Sequence, residues 1–203
     1  MHNETITSSR MGRPRGFDED SALEAAMRVF WEKSYEGATL SNLTEAMGIN
    51  RSSMFAAFGN KEALFRLAVA RYATLQMKYL SAALHEPTFR GVVEKALRGT
   101  VEFLATPSNP RGCLSIQGAL ACGTDAEPAK QAMIEYRKRG EAALKKRVQQ
   151  AQKDGELDSG INPGDYARYL STIVNGLGIH AANGATRSEL HRIVDINLRQ
   201  MGY

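Results

Sequence analysis

The sequence predicts an all-α fold of about nine helices. Over most of the chain, apolar residues recur at the spacing of one helix face. Capping residues or prolines stand where these apolar stripes begin. No segment shows the sustained alternation of apolar and polar residues that marks a half-buried strand, and we find no internal repeat. Together these observations favour a purely helical protein.

The first half of the chain contains four of the predicted helices. Asp18 is placed to cap the first helix, which Gly37 ends. Two short helices follow, over Leu40–Met47 and Arg51–Phe58. Asn60 is placed to cap a long fourth helix. The apolar stripe of the first helix is formed by Leu23, Ala26, Met27, Phe30 and Trp31.

The second half contains the remaining elements, and prolines mark most of their starts. Pro87 opens a helix, and the proline-containing loop at 106–112 separates it from a short apolar segment at 113–121. Pro128 stands near the start of a long charged helix that reaches about Lys153. Asn162-Pro163 is a cap followed by a helix-starting proline, and residues 186–189 form a capping box for the last helix.

Composition and charge exclude several classes of protein. The 203 residues carry a formal net charge of +4, which permits a nucleic-acid partner without requiring one. Cys113 and Cys122 are too few for a disulfide framework or a four-ligand zinc site. No apolar run approaches the roughly 20 residues that cross a bilayer, and residues 1–10 carry no apolar core of a secretory signal. We expect a cytoplasmic protein with no membrane partner, metal or cofactor.

The segment from Ser41 to Ala57 fits a helix-turn-helix, in which two short helices cross around a tight turn. Gly48 stands where that turn must lie. Leu43 and Met47 face the core from the first helix, and Met54 anchors the second. The alternative is an ordinary helical hairpin, but the second helix presents short or polar groups that are able to enter a major groove.

Residues on and around this unit are candidate DNA contacts. Arg51 is able to donate two hydrogen bonds to guanine, whereas Asn50 either contacts DNA or caps its helix. Thr39, Ser41 and Lys61 begin helices, where free N–H groups favour a phosphate. Arg13 and Arg15 lie in a basic arm that either enters an adjacent minor groove or stays solvated. The remaining candidates on the second helix are Ser52, Ser53, Phe55 and Ala56.

Several of these segments also occur together in a known family. The chain from about Gly12 to Leu67 resembles the N-terminal domain of TetR/AcrR transcriptional regulators. The resemblance rests on Gly12-Arg13-Pro14-Arg15, Tyr35-Glu36-Gly37-Ala38-Thr39, Ala46-Met47-Gly48-Ile49 and the run from Met54 to Leu64.

The resemblance implies a three-helix DNA-binding domain and a larger C-terminal domain that binds an inducer and dimerises. We therefore expect a flexible basic arm at 1–16, a helix-turn-helix domain at 17–63 and a ligand-binding and dimerisation domain at 64–203. At matching positions, the resemblance implies that Thr39, Ser41 and Lys61 contact phosphates. It also makes Arg51 and Ser52 candidates for reading the bases. The family usually has tyrosine where Phe55 stands, and phenylalanine is unable to donate the hydrogen bond of that hydroxyl to a phosphate.

A two-fold dimer is expected, because one short recognition helix makes too few contacts for useful specificity. The apolar face of the helix after Pro163 is the candidate interface with the last helix, and the alternative is that this face packs in the core of one protomer. The candidate interface residues are Tyr166, Leu170, Ile173, Val174, Leu177, Ala181, Ile193 and Met201.

A ligand pocket is expected among the central helices, where Gln117 and Arg137 would favour a polar or anionic small-molecule inducer. The other candidates for its lining are Tyr72, Phe103, Cys113, Ile116 and Tyr136. Cys113 follows Arg111 at a helix start, a position that favours a reactive thiolate. Cys113 is therefore either a redox or electrophile sensor, with Cys122 as a resolving thiol, or an inert core residue.

Three functions remain open from the sequence. The first is a regulator, by resemblance a repressor, that a small molecule releases from a palindromic DNA operator. The second is a helical enzyme, against which stands the lack of any nucleophile with an adjacent base in the sequence. The third is a ligand-binding helical protein without DNA binding, for which Phe55 is the one indication.

Overall fold

The structure, a computed structural model, describes residues 16–120, 123 and 126–201, with the side chains of residues 76 and 77 left out. Within these ranges the chain forms α-helices and no strand, which confirms the predicted all-α class. The nine helices of the described ranges are α1 (Glu19–Gly37), α2 (Leu40–Met47), α3 (Arg51–Phe58), α4 (Lys61–Leu84), α5 (Phe89–Leu104), α6 (Leu114–Gln117), α7 (Glu127–Lys153), α8 (Pro163–Ala182) and α9 (Arg187–Gln200).

The capping residues identified in the sequence begin the helices to which they were assigned. The carboxylate of Asp18 accepts from the N–H groups of Asp20 and Ser21. Asn162 caps α8 directly before Pro163, and Thr186 forms a capping box with Glu189 at the start of α9. These caps satisfy N–H groups that have no partner inside a helix, which explains why short polar side chains mark the boundaries.

Some boundaries differ from those predicted. Thr88, and not Pro87, caps α5, because its hydroxyl accepts from the N–H of Gly91. The apolar segment after the proline-containing loop is helical only over the four residues of α6, and Cys113 occupies the cap position without making a side-chain cap. Near its end, α1 is broken at Ser34, whose φ of 60° and ψ of 177° are not helical.

One hydrophobic core runs through the described part of the molecule, and α4 lies in its middle. Helix α4 packs against α1 on the N-terminal side and against α5 and α7 on the other. Helix α8 packs along α7, and α9 packs along α5. Because α4 begins at Lys61 and continues to Leu84, the predicted boundary between residues 63 and 64 falls inside a continuous helix.

Candidate DNA-reading surface and ligand cavity

Helices α2 and α3 are joined by a tight turn at Gly48. Its φ of 66° and ψ of 26° are left-handed, and a side chain there would strain the backbone. Leu43 and Met47 of α2 and Met54 of α3 are buried in the core, as the helix-turn-helix pattern requires, and α2 packs against α1. The two short helices are thereby fixed against each other, and the opposite face of α3 is turned outwards.

Of the predicted DNA contacts that the structure describes, seven are exposed and two are partly buried. Ser53 and Lys61 are partly buried. Arg13 and Arg15 lie outside the described residues. The exposed candidates are Thr39, Ser41, Asn50, Arg51, Ser52, Phe55 and Ala56.

The polar side chains at the two helix starts have defined partners. Thr39 forms a capping box with Asn42 at the start of α2. The amide oxygen of Asn50 accepts from the N–H of Ser53 at 2.8 Å and from the Ser52 hydroxyl at 2.7 Å. Asn50 therefore serves as the cap of α3 in the free protein. The free N–H groups at both helix starts form an electropositive edge that suits phosphate.

Two cations lie at the rim of this surface. Arg51 donates from Nη2 to the hydroxyl of Ser41 over 3.1 Å, so its guanidinium lies back across the start of α2. The ammonium of Lys61 lies 4.6 Å from the ring centroid of Tyr35. Phe55 of α3 leaves 45% of its surface exposed, and its ring carries no hydroxyl to donate. The surface thus combines cations, helix starts and one bare aromatic ring.

Helix α1 is tied to the segment around α6 by hydrogen bonds over long sequence distances. Trp31 donates from Nε1 to the carbonyl oxygen of Gly112 over 3.1 Å. The break at Ser34 frees the N–H of Tyr35, which donates to the carbonyl oxygen of Gly118 over 2.7 Å. Such a positive φ at a non-glycine residue costs roughly 1 kcal/mol or more, and here the strained turn makes a contact between distant segments. Helix α1, against which α2 packs, is therefore anchored directly to the α6 segment.

A second tie runs from α4 to α1 through charged groups. Arg71 donates to the carboxylates of Asp20 and Glu24, in each case over 2.8 Å. The hydrogen bond from Arg71 lowers the pKa of Glu24, and the hydrogen bond from Glu24 raises the pKa of Arg71. Helix α4 starts beside the DNA-reading surface at Lys61. About three turns beyond that start, Arg71 holds it to α1.

A cavity of about 450 Å³ lies between α4 and α7, with walls completed by α5, α6 and α8. Its volume falls in the range of ordinary small-molecule sites. Most of its wall is apolar, from Val69, Ala70, Ala73, Leu80, Leu84, Ala96, Ala132, Ala143, Leu144 and Val174. Polar and charged side chains are as numerous but contribute less of the surface, and they are Arg66, Tyr79, Ser115, Glu135, Tyr136, Arg137, Arg139, Glu141, Ser171 and Asn175.

Of the seven side chains proposed for the pocket, the structure places Tyr136 and Arg137 in this wall. Tyr72 and Cys113 instead fill the core beneath α1, and Phe103 stacks on Trp31 with ring centroids 5.6 Å apart. Ile116 packs toward Gly178 of α8, and Gln117 is exposed. Helical spacing identified these residues as inward-facing, but it does not distinguish a filled core from a cavity.

Cys113 has two hydroxyl neighbours in its buried position. Its Sγ lies 3.0 Å from Oη of Tyr72 and 2.8 Å from Oγ of Ser115. Burial is the main reason that the pKa of Tyr72 is raised, so this phenol stays neutral. The second cysteine, Cys122, lies outside the described residues.

The proposed dimer residues are divided between the core and its edge. Leu170, Leu177 and Ala181 belong to the core of one protomer. The remaining five candidates, Tyr166, Ile173, Val174, Ile193 and Met201, pack against that core and keep part of their surface accessible. The interface therefore stays a prediction, and three of its eight residues already serve the core of one protomer.

The outward face of these two helices carries large apolar groups that the sequence analysis did not single out. Tyr169 and Ile179 of α8 are 43% and 48% exposed, and Ile196 of α9 is 53% exposed. Asn197 donates to the hydroxyl of Tyr169 over 3.0 Å, which places the start of α8 beside the end of α9. Gly176, on the same stripe of α8, has open space where a Cβ would stand. We call Tyr169, Gly176, Ile179 and Ile196 the outer face.

Two negative findings concern the described residues alone. Their helices include none with the length and apolarity needed to cross a bilayer. Among the same residues, His, Cys, Asp and Glu side chains form no group of three or more that could hold a metal ion.

Comparison with known proteins agrees with this arrangement over both halves of the chain. Residues 22–68 match the model of bacterial regulatory proteins of the tetR family. Residues 92–195 match the model of the tetracyclin repressor-like C-terminal domain. The first match contains the helix-turn-helix, and the second contains α6 to α8 with much of the cavity wall.

Individual relatives agree over nearly the full length. The transcriptional repressor ComR of Escherichia coli is 31% identical over 195 residues, which cover 93% of this chain and 90% of ComR. The repressor AcnR of Corynebacterium glutamicum is 28% identical and is covered over 87% of its length. A solved structure of a cysteine-substituted CifR with 26-base-pair operator DNA is 37% identical, with a TM-score of 0.89 over 93% of this chain and 98% of CifR. This chain belongs to the TetR family of DNA-binding transcriptional regulators and is not an enzyme.

Proposed function

We propose that this protein is a homodimeric repressor that a small molecule, bound in the cavity between α4 and α7, releases from a palindromic operator. The observation that carries the proposal is that α4 belongs to both sites. It starts with Lys61 beside the DNA-reading surface and then supplies Val69, Ala73 and Leu80 to the cavity wall. The relatives ComR and AcnR are named repressors, and CifR has been solved with operator DNA.

On DNA, α3 would enter the major groove with Arg51 and Ser52 towards the bases. Thr39, Ser41 and the start of α4 at Lys61 would meet phosphates on either side. In the free protein Arg51 rests against the Ser41 hydroxyl, so reading a guanine requires the guanidinium to leave it. Ser53 and Ala56 would line the approach to the groove, and Arg13 and Arg15 would reach the minor groove beside it.

The DNA-reading surfaces of two protomers would be joined through the outer face. Its apolar groups are exposed in one protomer, and a second copy would cover them. Gly176 would allow two α8 helices to approach closely at the centre of this contact. Arg71 holds α4 to α1 through Asp20 and Glu24. A ligand that moves α4 away from α7 would therefore also move α1, and would alter the spacing of the two DNA-reading surfaces.

The test is binding to the DNA upstream of the protein's own gene, measured by fluorescence anisotropy across a salt series with unrelated DNA as competitor. We expect binding that falls steeply with salt and survives the competitor. Arg51→Ala should weaken specific binding about tenfold or more. Arg90→Ala is the matched control, because Arg90 is an exposed arginine on α5, outside the DNA-reading surface and the outer face. If selection from random DNA enriches no palindrome, the regulator proposal fails.

A second candidate trigger is oxidation or alkylation of Cys113, which the two hydroxyl contacts of its sulfur favour. Any group added to Sγ would displace Tyr72 or Ser115, next to the Gly112 carbonyl that holds Trp31. Alkylation by N-ethylmaleimide, followed by mass spectrometry and the same DNA assay, tests this trigger. Release of DNA in the wild type but not in Cys113→Ser would establish it, whereas alkylation of Cys113 without release would exclude it.

A further inference from the structure

The cavity contains a single arginine that is both drawn into its wall and free of any carboxylate. Arg137 of α7 lines the cavity and is partly buried. It donates from Nη1 to the carbonyl oxygen of Ser115 over 2.5 Å. No carboxylate lies within ion-pair distance of it among the residues that the structure describes. Of the five N–H donors of the guanidinium, one is thus engaged by the protein.

The other charged groups of the cavity wall are accounted for differently. Arg66 pairs with Glu62 at 3.2 Å, and Glu141 pairs with Arg168 at 3.4 Å. Arg139 and Glu135 are exposed at the rim, where water screens their charge. A partly desolvated cation without a counter-ion raises the free energy of the protein. Among the charged groups of this wall, Arg137 is therefore the one that a bound anion would stabilise most.

The remaining groups set the character of the ligand around that cation. Burial raises the pKa values of Tyr79 and Tyr136, so both phenols remain neutral at physiological pH and act through their hydroxyls. Burial also lowers the pKa of Arg137, but an arginine stays protonated under these conditions. The rest of the wall is formed mainly by alanine, leucine and valine side chains.

We propose that the inducer is an amphipathic organic monoanion whose acid group pairs with Arg137 and whose apolar body fills the space between α4 and α7. This inference rests on the proposed function, since it names the ligand class of the same cavity. Arg137 is anchored to Ser115, and Ser115 follows the Gly112–Cys113 segment that holds Trp31. An anion on Arg137 would therefore act on the segment to which the DNA-reading domain is tied.

The test uses octanoate, decanoate and naphthoate as probes, each compared with its matching alcohol and amine. Binding to the full chain without DNA is measured by titration calorimetry. For the wild type we expect at least one carboxylate to bind about tenfold or more tightly than its alcohol, and the amine to bind more weakly than both. If no carboxylate is preferred over its alcohol, the proposal is overturned.

Substitution then assigns the preference to Arg137. In Arg137→Met the affinity for the carboxylate should fall about ten- to hundredfold, while the affinity for the alcohol is kept, which shows that the cavity is intact. Arg137→Lys should restore part of the affinity, because it restores a charge without the planar fork. Lys138→Gln, at an exposed cation of the same helix outside the cavity wall, should change the affinity less than twofold. Unchanged carboxylate binding in Arg137→Met would overturn the proposal.

Adding operator DNA separates this inference from the function on which it rests. Carboxylate binding through Arg137 without any loss of DNA affinity would support the ligand class and refute the inducer role of the cavity. Release of DNA by the alcohols as readily as by the carboxylates would support the inducer role and refute the anion.

Discussion

Trp31 and Gly112 join α1 to the segment before α6 by a hydrogen bond: the indole Nε1 donates to the carbonyl oxygen over 3.1 Å inside the core. The indole is almost fully buried, stacks on Phe103 and meets Tyr72 edge-on. Gly112 has a φ of 83°, and a Cβ there would lie 2.5 Å from Oε1 of Gln117. Both partners are thus fixed by their surroundings. A displacement of α1 or of the α6 segment should therefore displace the other.

Trp31→Phe should separate the hydrogen bond from the packing, because phenylalanine keeps an aromatic ring but has no donor. It would leave the Gly112 carbonyl buried without its partner, and we expect a loss of about 1–3 kcal/mol in the free energy of unfolding. Denaturant unfolding measures that loss. Ligand-dependent release of DNA should also weaken, which the anisotropy assay measures.

Phe103→Leu is the matched control for Trp31→Phe. It removes the ring that stacks on the indole but leaves the hydrogen bond in place. We expect it to lower stability while keeping the ligand-dependent change in DNA affinity. Equal loss of coupling in both variants would mean that packing, and not the hydrogen bond, carries the signal.

The local features of this molecule were readable from the sequence because their causes lie within a few residues. Asp18, Asn50 and Asn60 cap the helices to which they were assigned, since a cap needs only the next two or three N–H groups. The turn at Gly48 follows from the same reasoning, because a left-handed backbone demands a glycine.

The cavity and the dimer face depend on tertiary packing, and there the sequence was a poorer guide. The stripe of α8 from Tyr166 to Ala181 forms one apolar face, but Leu170, Leu177 and Ala181 of that face lie in the core of the protomer. The outer face carries Tyr169, Ile179 and Ile196 at intervals broken by polar residues, so it forms no continuous apolar stripe. Ser34 gave no signal either, because nothing in its neighbours requires the positive φ that frees the N–H of Tyr35.

Ile179→Asp tests the outer face as the contact between protomers. Placing a charge in the centre of an apolar contact costs several kcal/mol if it becomes buried there, so we expect monomers by analytical ultracentrifugation at micromolar concentration. Affinity for a palindromic operator should fall strongly at the same time, because each monomer reads only one half-site.

Leu67→Asp is the control for that substitution, since Leu67 is a comparably exposed leucine, 43% accessible, on α4. It should leave the sedimentation coefficient of the dimer unchanged. If Ile179→Asp remains dimeric with an unaltered unfolding curve, the outer face is not the interface.

Phe55→Tyr should strengthen DNA binding. The ring is 45% exposed on α3, so an added hydroxyl would reach solvent in the free protein at little cost to stability. A hydrogen bond from that hydroxyl to a phosphate is worth about 1.5 kcal/mol, or roughly tenfold in affinity. Anisotropy at constant salt measures the gain, and it should appear with specific and unrelated DNA alike, because phosphate contacts carry no sequence information.

Phe55→Leu distinguishes that hydroxyl from the size of the ring. It should lower the affinity modestly or leave it unchanged, whereas Phe55→Tyr raises it. A fall in affinity with tyrosine would mean that the phenylalanine edge packs against the DNA backbone, and that this position has adapted to an apolar contact.

Stability should decline in acid in part through Glu24. The hydrogen bond from Arg71 lowers the pKa of this carboxyl from its ordinary value of 4.5. A group with a lowered pKa in the folded state stabilises fully above its unfolded pKa, and that contribution is lost as the pH falls through the folded value. We therefore expect the difference in unfolding free energy between the wild type and Glu24→Gln to be positive at pH 7 and to shrink below about pH 4.5. Because Glu24 is 38% exposed, the difference at pH 7 should not exceed about 1 kcal/mol. A pH-independent difference for Glu24→Gln would mean that Arg71 holds α1 to α4 through Asp20 alone.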